Sequence, residues 1–183
     1  MSSIKHNTKL KTQMASKAPK EPFVMYLGVL VALSALHPIM SLSCVNALLD
    51  KYQALKRKDE VHITLKFFPR TCSKEDKKAV VDDFRRFIEE HGNDVCVTVT
   101  GIGYYEGTCA LQISPDIFTR NESSTKVPWT HAKQNHITIA LEEGKNAQDS
   151  VNAVIKQEDD GYLGDFVPIS PTIINGHLQT FSS

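Results

Sequence analysis

The chain lacks several things at once. Its 183 residues carry no excess of either charge, with 21 Lys+Arg against 21 Asp+Glu. That excludes a high-affinity, sequence-indifferent DNA binder, which needs a marked basic surplus to displace counterions. No CxxC pair occurs among the four cysteines, Cys44, Cys72, Cys96 and Cys109. They read as free, mostly buried thiols of a reducing, cytoplasmic setting rather than a disulfide framework or a zinc knuckle. HExxH, HxH and the GxxxxGK[ST] phosphate loop are missing too, so neither a metal site nor a P-loop is expected. What remains is 41% hydrophobic and 23% charged. Such a chain can bury one core, which excludes wholesale disorder, collagen and coiled coil.

The N-terminal fifty residues divide in two. Residues 1–22 hold five Lys and a single acidic residue, Glu21, and are read as a disordered polar and basic tail. Residues 23–183 are read as one domain. It begins with Phe23–Leu49, 27 residues without Asp, Glu, Lys or Arg. A membrane span needs about 20 apolar residues in a row. The strongly apolar part, Phe23–Leu36, is 14 residues long and ends at His37-Pro38. A strand over Phe23–Ala32, a turn and then a helix is the favoured reading. Leu42, Val45, Leu48, Leu49, Tyr52 and Leu55 recur at helical spacing in that helix, and Pro38 suits its first turn. The alternative is that Phe23–Leu36 is a targeting segment, which would make the protein membrane-anchored or secreted. Only then would the Asn121-Glu-Ser123 sequon matter.

One strand pattern occurs twice. Val61-His-Ile-Thr-Leu-Lys-Phe67 is β-branched and aromatic, bounded by Asp59-Glu60 and Pro69. Side chains alternate along a strand, so His62, Thr64 and Lys66 share one face and Ile63, Leu65 and Phe67 the other. In Asn135–Leu141, His136 and Thr138 again share a face, and Ile137, Ile139 and Leu141 take the opposite one. The two histidines are 74 positions apart. A helix capped by Ser73, with Asp76 at its third position, Ala79/Val80, Phe84 and Phe87/Ile88 as its stripe and Gly92 as its stop, follows the first copy. A helix over Gln148–Lys156 follows the second. Strands at Val95–Thr100, Thr108–Ile113 and Ile173–Phe181, a Gly101-Ile-Gly103 turn and a loop at Ser114–Lys133 complete the order β α β α β β (loop) β α β.

A lone strand histidine is more often a satisfied structural residue than a catalyst. A pair, each with Thr two residues on, can do chemistry. Phosphodiester hydrolysis needs a base for the nucleophile, an acid for the leaving oxygen, and donors for the non-bridging oxygens. In-line displacement puts entering and leaving oxygens on opposite sides of phosphorus, where two facing imidazoles fit. Histidine's ordinary pKa lets one copy be neutral and the other charged near neutrality.

The paired HxT motifs, His62-Ile-Thr64 and His136-Ile-Thr138, resemble those of the two-histidine (2H) phosphoesterase superfamily, which includes LigT-like RNA 2′,3′-cyclic phosphodiesterases and the cyclic phosphodiesterase domain of tRNA ligases. Ile139 stands where that family often has Leu. The resemblance spans about Phe23–Phe181. It implies an α+β, bilobal fold in which two antiparallel sheets form a central cleft with helices outside. It implies that His62 and His136 are the acid–base pair and that Thr64 and Thr138 bind phosphate. The expected activity is metal-independent hydrolysis of a cyclic phosphate on an RNA end or nucleotide, with no cofactor, no DNA partner and a monomeric chain. A non-catalytic nucleotide- or RNA-binding module with the same cleft is the rival.

Lys66 lies on the cleft face by alternation and is a further phosphate-binding candidate. Tyr104 is a candidate to stack on a base or ribose, as is Tyr105 beside it. Trp129 and His131 precede the second motif and could rim the cleft. His177 is given no role.

Overall fold

The computed structural model describes residues 24–130, 135–155 and 164–182, with only the backbone of Ile155. The expected tail, Phe23, His131 and Lys156 lie outside the described residues.

The apolar N-terminal run is a strand. β1 (Val24–Val31) is hydrogen-bonded on both sides, and Leu27 and Val29 are fully buried. A strand covered on both faces reads as an uninterrupted apolar run, which explains its likeness to a targeting segment. No helix among the described residues is long and apolar enough to cross a membrane. A 3-10 turn (Leu33–Leu36) leads to α1 (His37–Met40), with Pro38 in its first turn, and α2 (Ser43–Lys51), which buries Val45, Leu48 and Leu49.

β2 (Lys56–Arg57) and β3 (Val61–Phe67) come next, then α3 (Lys74–His91). Ser73 caps α3: its hydroxyl accepts from the Asp76 N–H at 3.0 Å, and Gly92 ends the helix at φ 79°. Its buried stripe runs through Val81 and Phe84 rather than Ala79, which is exposed. Trp129 sets its ring edge-on to Phe84 and Phe87, so it packs under α3 rather than rimming a cleft.

β4 (Asp94–Tyr105) passes straight through Gly101-Ile-Gly103, where a turn was expected. Gly101 serves close packing instead: a Cβ there would lie 2.2 Å from the Phe166 ring. The turn comes later, at Glu106-Gly107, both with positive φ, and leads into β5 (Thr108–Ile113). β6 (Phe118–Thr119) lies within the expected loop. There Asn121 of the sequon is a clasp. Its Nδ2 donates to the His91 carbonyl at 2.8 Å, while its Oδ1 accepts from Thr119, Ser123 and the Ser124 N–H.

β7 (His136–Leu141) is followed by a 3-10 turn (Ala147–Val151) and α4 (Asn152–Ile155). The last strand, β8 (Asp165–Ser182), is twice the expected length because it runs through Pro168 and Pro171, residues that normally argue against a strand.

The fold is α+β, with eight antiparallel strands and four α-helices among the described residues. The two expected sheets are one. The order is β2-β7-β5-β4-β8-β1-β3, with β6 on β4, because the long β8 pairs with β4 along most of its length and with β1 at its C-terminal end. The main core draws on every strand of this path except β2, and on α1, α2 and α3. Of the four free cysteines only Cys109 is buried, which pushes its thiol up to about 12, and Cys44 is exposed.

Candidate active site

The two motif strands lie near opposite ends of the hydrogen-bonded order, yet Cα atoms of β3 and β7 approach within 8 Å. The connection from β2 to β3 causes this. Lys56 and Arg57 pair with Leu141 and Ala140 of β7, and the Lys58 N–H donates to the Ile139 carbonyl at 3.0 Å. The chain then bends at Asp59-Glu60 and enters β3, which pairs with β1. The curled sheet thus nearly closes, and the motif strands flank the seam.

On β3, Val61, Ile63 and Leu65 are buried, His62 is half-buried, and Thr64 and Lys66 are exposed. Beyond Leu65 the alternation fails. A register shift opposite Thr64–Lys66 inserts one residue, so Phe67 is 52% exposed and Phe68 buries in its place. His62 sits against two rings, with its centroid 5.1 Å from both Tyr26 of β1 and Phe181 of β8, which stack on each other at 4.5 Å. Gly28 makes this possible, because a Cβ there would strike the Ile63 carbonyl at 2.5 Å and meet the Phe181 ring at 3.0 Å. Burial lowers the His62 pKa below its ordinary 6.5; the Lys58 ammonium and His136 push the same way and Glu60 opposes them. The two imidazoles are therefore within electrostatic reach across the seam.

On β7, His136 is half-buried and Ile137 and Ile139 are buried, as alternation requires. Thr138 shares the His136 face but is 7% exposed. Its hydroxyl lies 2.6 Å from that of Ser150, which in turn donates to the Ala147 carbonyl at 2.6 Å. Either hydroxyl can donate in that pair, and Thr138 Oγ1 also lies 3.5 Å from the Ala147 carbonyl, so the Thr138 hydroxyl is engaged within the protein. The covering segment also packs Ala153 and Val154 onto Ala110, the β5 partner of Thr138.

Tyr104 is not brought to the histidines. Tyr104 pairs with Cys109, the neighbour of Ala110, so alternation puts it on the opposite face from Ala110 and Thr138, and a register shift brings Ala140 to that same face. There Tyr104 stacks on Tyr52 with centroids 3.4 Å apart and donates to Glu142 at 3.0 Å. Tyr105, on the other face, packs against Ala110 and Val154. Beside Tyr52 opens a cavity of about 340 Å³ lined by Leu49, Leu55, Arg57 and Ala140 among others, with neither histidine in its wall.

Sequence reasoning missed Tyr26 and Phe181, whose only signal was an aromatic in each flanking strand. It also missed Lys58 and Ser150, both of which carry no motif. Among the described residues, no group of three or more His, Cys, Asp or Glu could hold a metal ion.

No family model matches the sequence, and no curated protein matches it. Among solved structures the chain is similar to the crystal structure of a fungal RNA kinase, at 17% identity and a TM-score of 0.46, over 92% of this chain and 44% of that one. The chain thus spans less than half the length of that protein, and so distant a likeness transfers no residue's role.

Proposed function

We propose that this chain is a metal-independent phosphoesterase of the two-histidine type that opens a 2′,3′-cyclic phosphate on an RNA end or nucleotide. The observation that carries the reading is the convergence of His62 and His136, each followed two positions on by Thr, at the seam between β3 and β7. A phosphate set between the two rings meets the in-line requirement. His62, held below its ordinary pKa, is neutral near neutral pH and serves as the base. It takes a proton from water as the water oxygen bonds to phosphorus. The bond from phosphorus to one ribose oxygen breaks, and His136 protonates that oxygen. The products are a phosphomonoester and a free hydroxyl. The protons then re-equilibrate with solvent. Thr64 donates to a non-bridging oxygen. Thr138 can do so while accepting from Ser150, either hydroxyl of that pair being able to donate.

The engagement of the Thr138 hydroxyl favours a second reading, a nucleotide- or RNA-binding module that uses the same surface without turnover. One experiment separates the two. Cyclic mononucleotides and RNA oligomers with cyclic ends are incubated with the chain in chelator, and product and binding are both measured. The phosphoesterase reading expects turnover that survives chelation. Binding without product would replace it with the second reading, and activity lost to the chelator would point to a metal.

A further inference from the structure

As water adds to phosphorus, charge grows on the non-bridging oxygens, and fixed donors must meet it there. The two threonines are unequal to this: Thr64 is exposed, but the Thr138 hydroxyl is already engaged by Ser150. A cation at the seam would supply what is missing. Lys66 lies beyond the register shift on β3, which turns it off the face that His62 and Thr64 share, where alternation had placed it. Lys58 is better placed. Its backbone N–H is tied at 3.0 Å to the carbonyl of Ile139, the residue after Thr138, and a short bend separates it from His62. It is half-buried. Three lysines of the fold pair with carboxylates: Lys51 with Asp165, Lys56 with Glu143 and Lys126 with Asp116. Lys58 makes no ion pair within 4 Å among the described residues. An ammonium without a paired carboxylate can donate charge-assisted hydrogen bonds to a bound anion.

We propose that Lys58 is a further substrate-binding cation of this site, donating to the non-bridging oxygens of a phosphate held between His62 and His136. The proposal rests on the phosphoesterase reading for its substrate. The groups facing His62 fit it. Lys58 and Glu60 come from the β2–β3 connection, His136 from β7, and Tyr26 and Phe181 contribute rings from β1 and β8. Lys58 is the lysine among them. Its charge also helps to keep His62 deprotonated while the site is empty.

The test compares Lys58→Met, Lys58→Arg and, as a control, Lys56→Met, whose partner Glu143 is exposed. Two measurements are made: kcat/KM against pH on a cyclic mononucleotide, and NMR titration of the histidine ring protons with inorganic phosphate. Lys58→Met is expected to lose about 10²-fold in kcat/KM. It should also bind phosphate more weakly and move the acid limb of the profile to higher pH. Lys58→Arg should restore most of each, and Lys56→Met should match the wild type. Wild-type phosphate affinity together with an unmoved acid limb in Lys58→Met would overturn the proposal while leaving the enzyme reading intact. If the wild-type chain turns over no cyclic phosphate, the enzyme reading fails, and the phosphate titration still decides whether Lys58 holds the anion.

Discussion

The two HxT copies are nearly identical in sequence and differ in surroundings. The first lies on β3, paired among the described residues with β1 alone, and its Thr64 is open to solvent. The second lies on β7 between β5 and β2, and Thr138 is covered by the segment from Ala147 to α4. The helices that follow explain the contrast. After β3 the chain builds an 18-residue helix with a side-chain cap, which buries against the main core. After β7 it builds a 3-10 turn without a side-chain cap and α4, described as far as Ile155, which settle on the Thr138 face. A repeated motif thus repeats the backbone position of a hydroxyl, and the neighbouring segment decides whether that hydroxyl is free.

The largest expected effect treats the copies as equals. His62→Ala and His136→Ala should each reduce kcat by about 10²–10⁴-fold, the usual contribution of an acid or base. Circular dichroism and Tm should stay near wild type, since both rings are only half-buried. A variant that keeps wild-type turnover would break the pairing.

The threonines should then separate. Thr64→Val is expected to cost about 10²-fold in kcat with stability within about 0.5 kcal/mol of wild type. Thr138→Val should instead lose about 1–2 kcal/mol in denaturant unfolding, because it removes a buried hydrogen bond and leaves the Ser150 hydroxyl only the Ala147 carbonyl. Ser150→Ala sharpens the point, since it releases the Thr138 hydroxyl toward substrate. Equal stability losses for Thr64→Val and Thr138→Val would erase the distinction.

The pH dependence carries a definite sign. His62 titrates lower in the folded chain than its ordinary 6.5. Between the two values the unfolded chain binds more protons, so stability is full above about 6.5 and falls as pH drops through the folded value. The base must be neutral, so the acid limb of kcat/KM should also lie below 6.5. Urea unfolding at a series of pH values should show this slope in the wild type and a shallower one in His62→Gln. The smallest effect is local to the first half: Ser73→Ala should cost about 1 kcal/mol through loss of the α3 cap, while leaving kcat unchanged.

Much of the fold was legible in the residues. Alternation located β3 and β7, and Ser73, Asp76 and Gly92 marked both ends of α3. Failures came where one residue type serves two purposes. Gly101 and Gly103 look like a turn, but Gly101 makes room for a ring arriving from β8. Pro168 and Pro171 look like a loop, but β8 passes through them. Phe67 was misplaced by a single-residue register shift, because an inserted residue reverses every side chain beyond it.

By itself the sequence determined that a histidine and a threonine share a face on each of two strands, since period-two alternation is a local property of the backbone. It also determined that no charge surplus or metal-binding motif accompanies them. Only the tertiary structure decided that these strands meet, because their meeting depends on a two-residue strand, Lys56–Arg57, pairing with β7 before the chain crosses to β1. That same crossing brings Lys58 within electrostatic reach of His62, and the packing of Ser150 engages Thr138. The pairing of Lys56 and Arg57 with Leu141 and Ala140 joins partners too far apart in the chain for any local pattern to record.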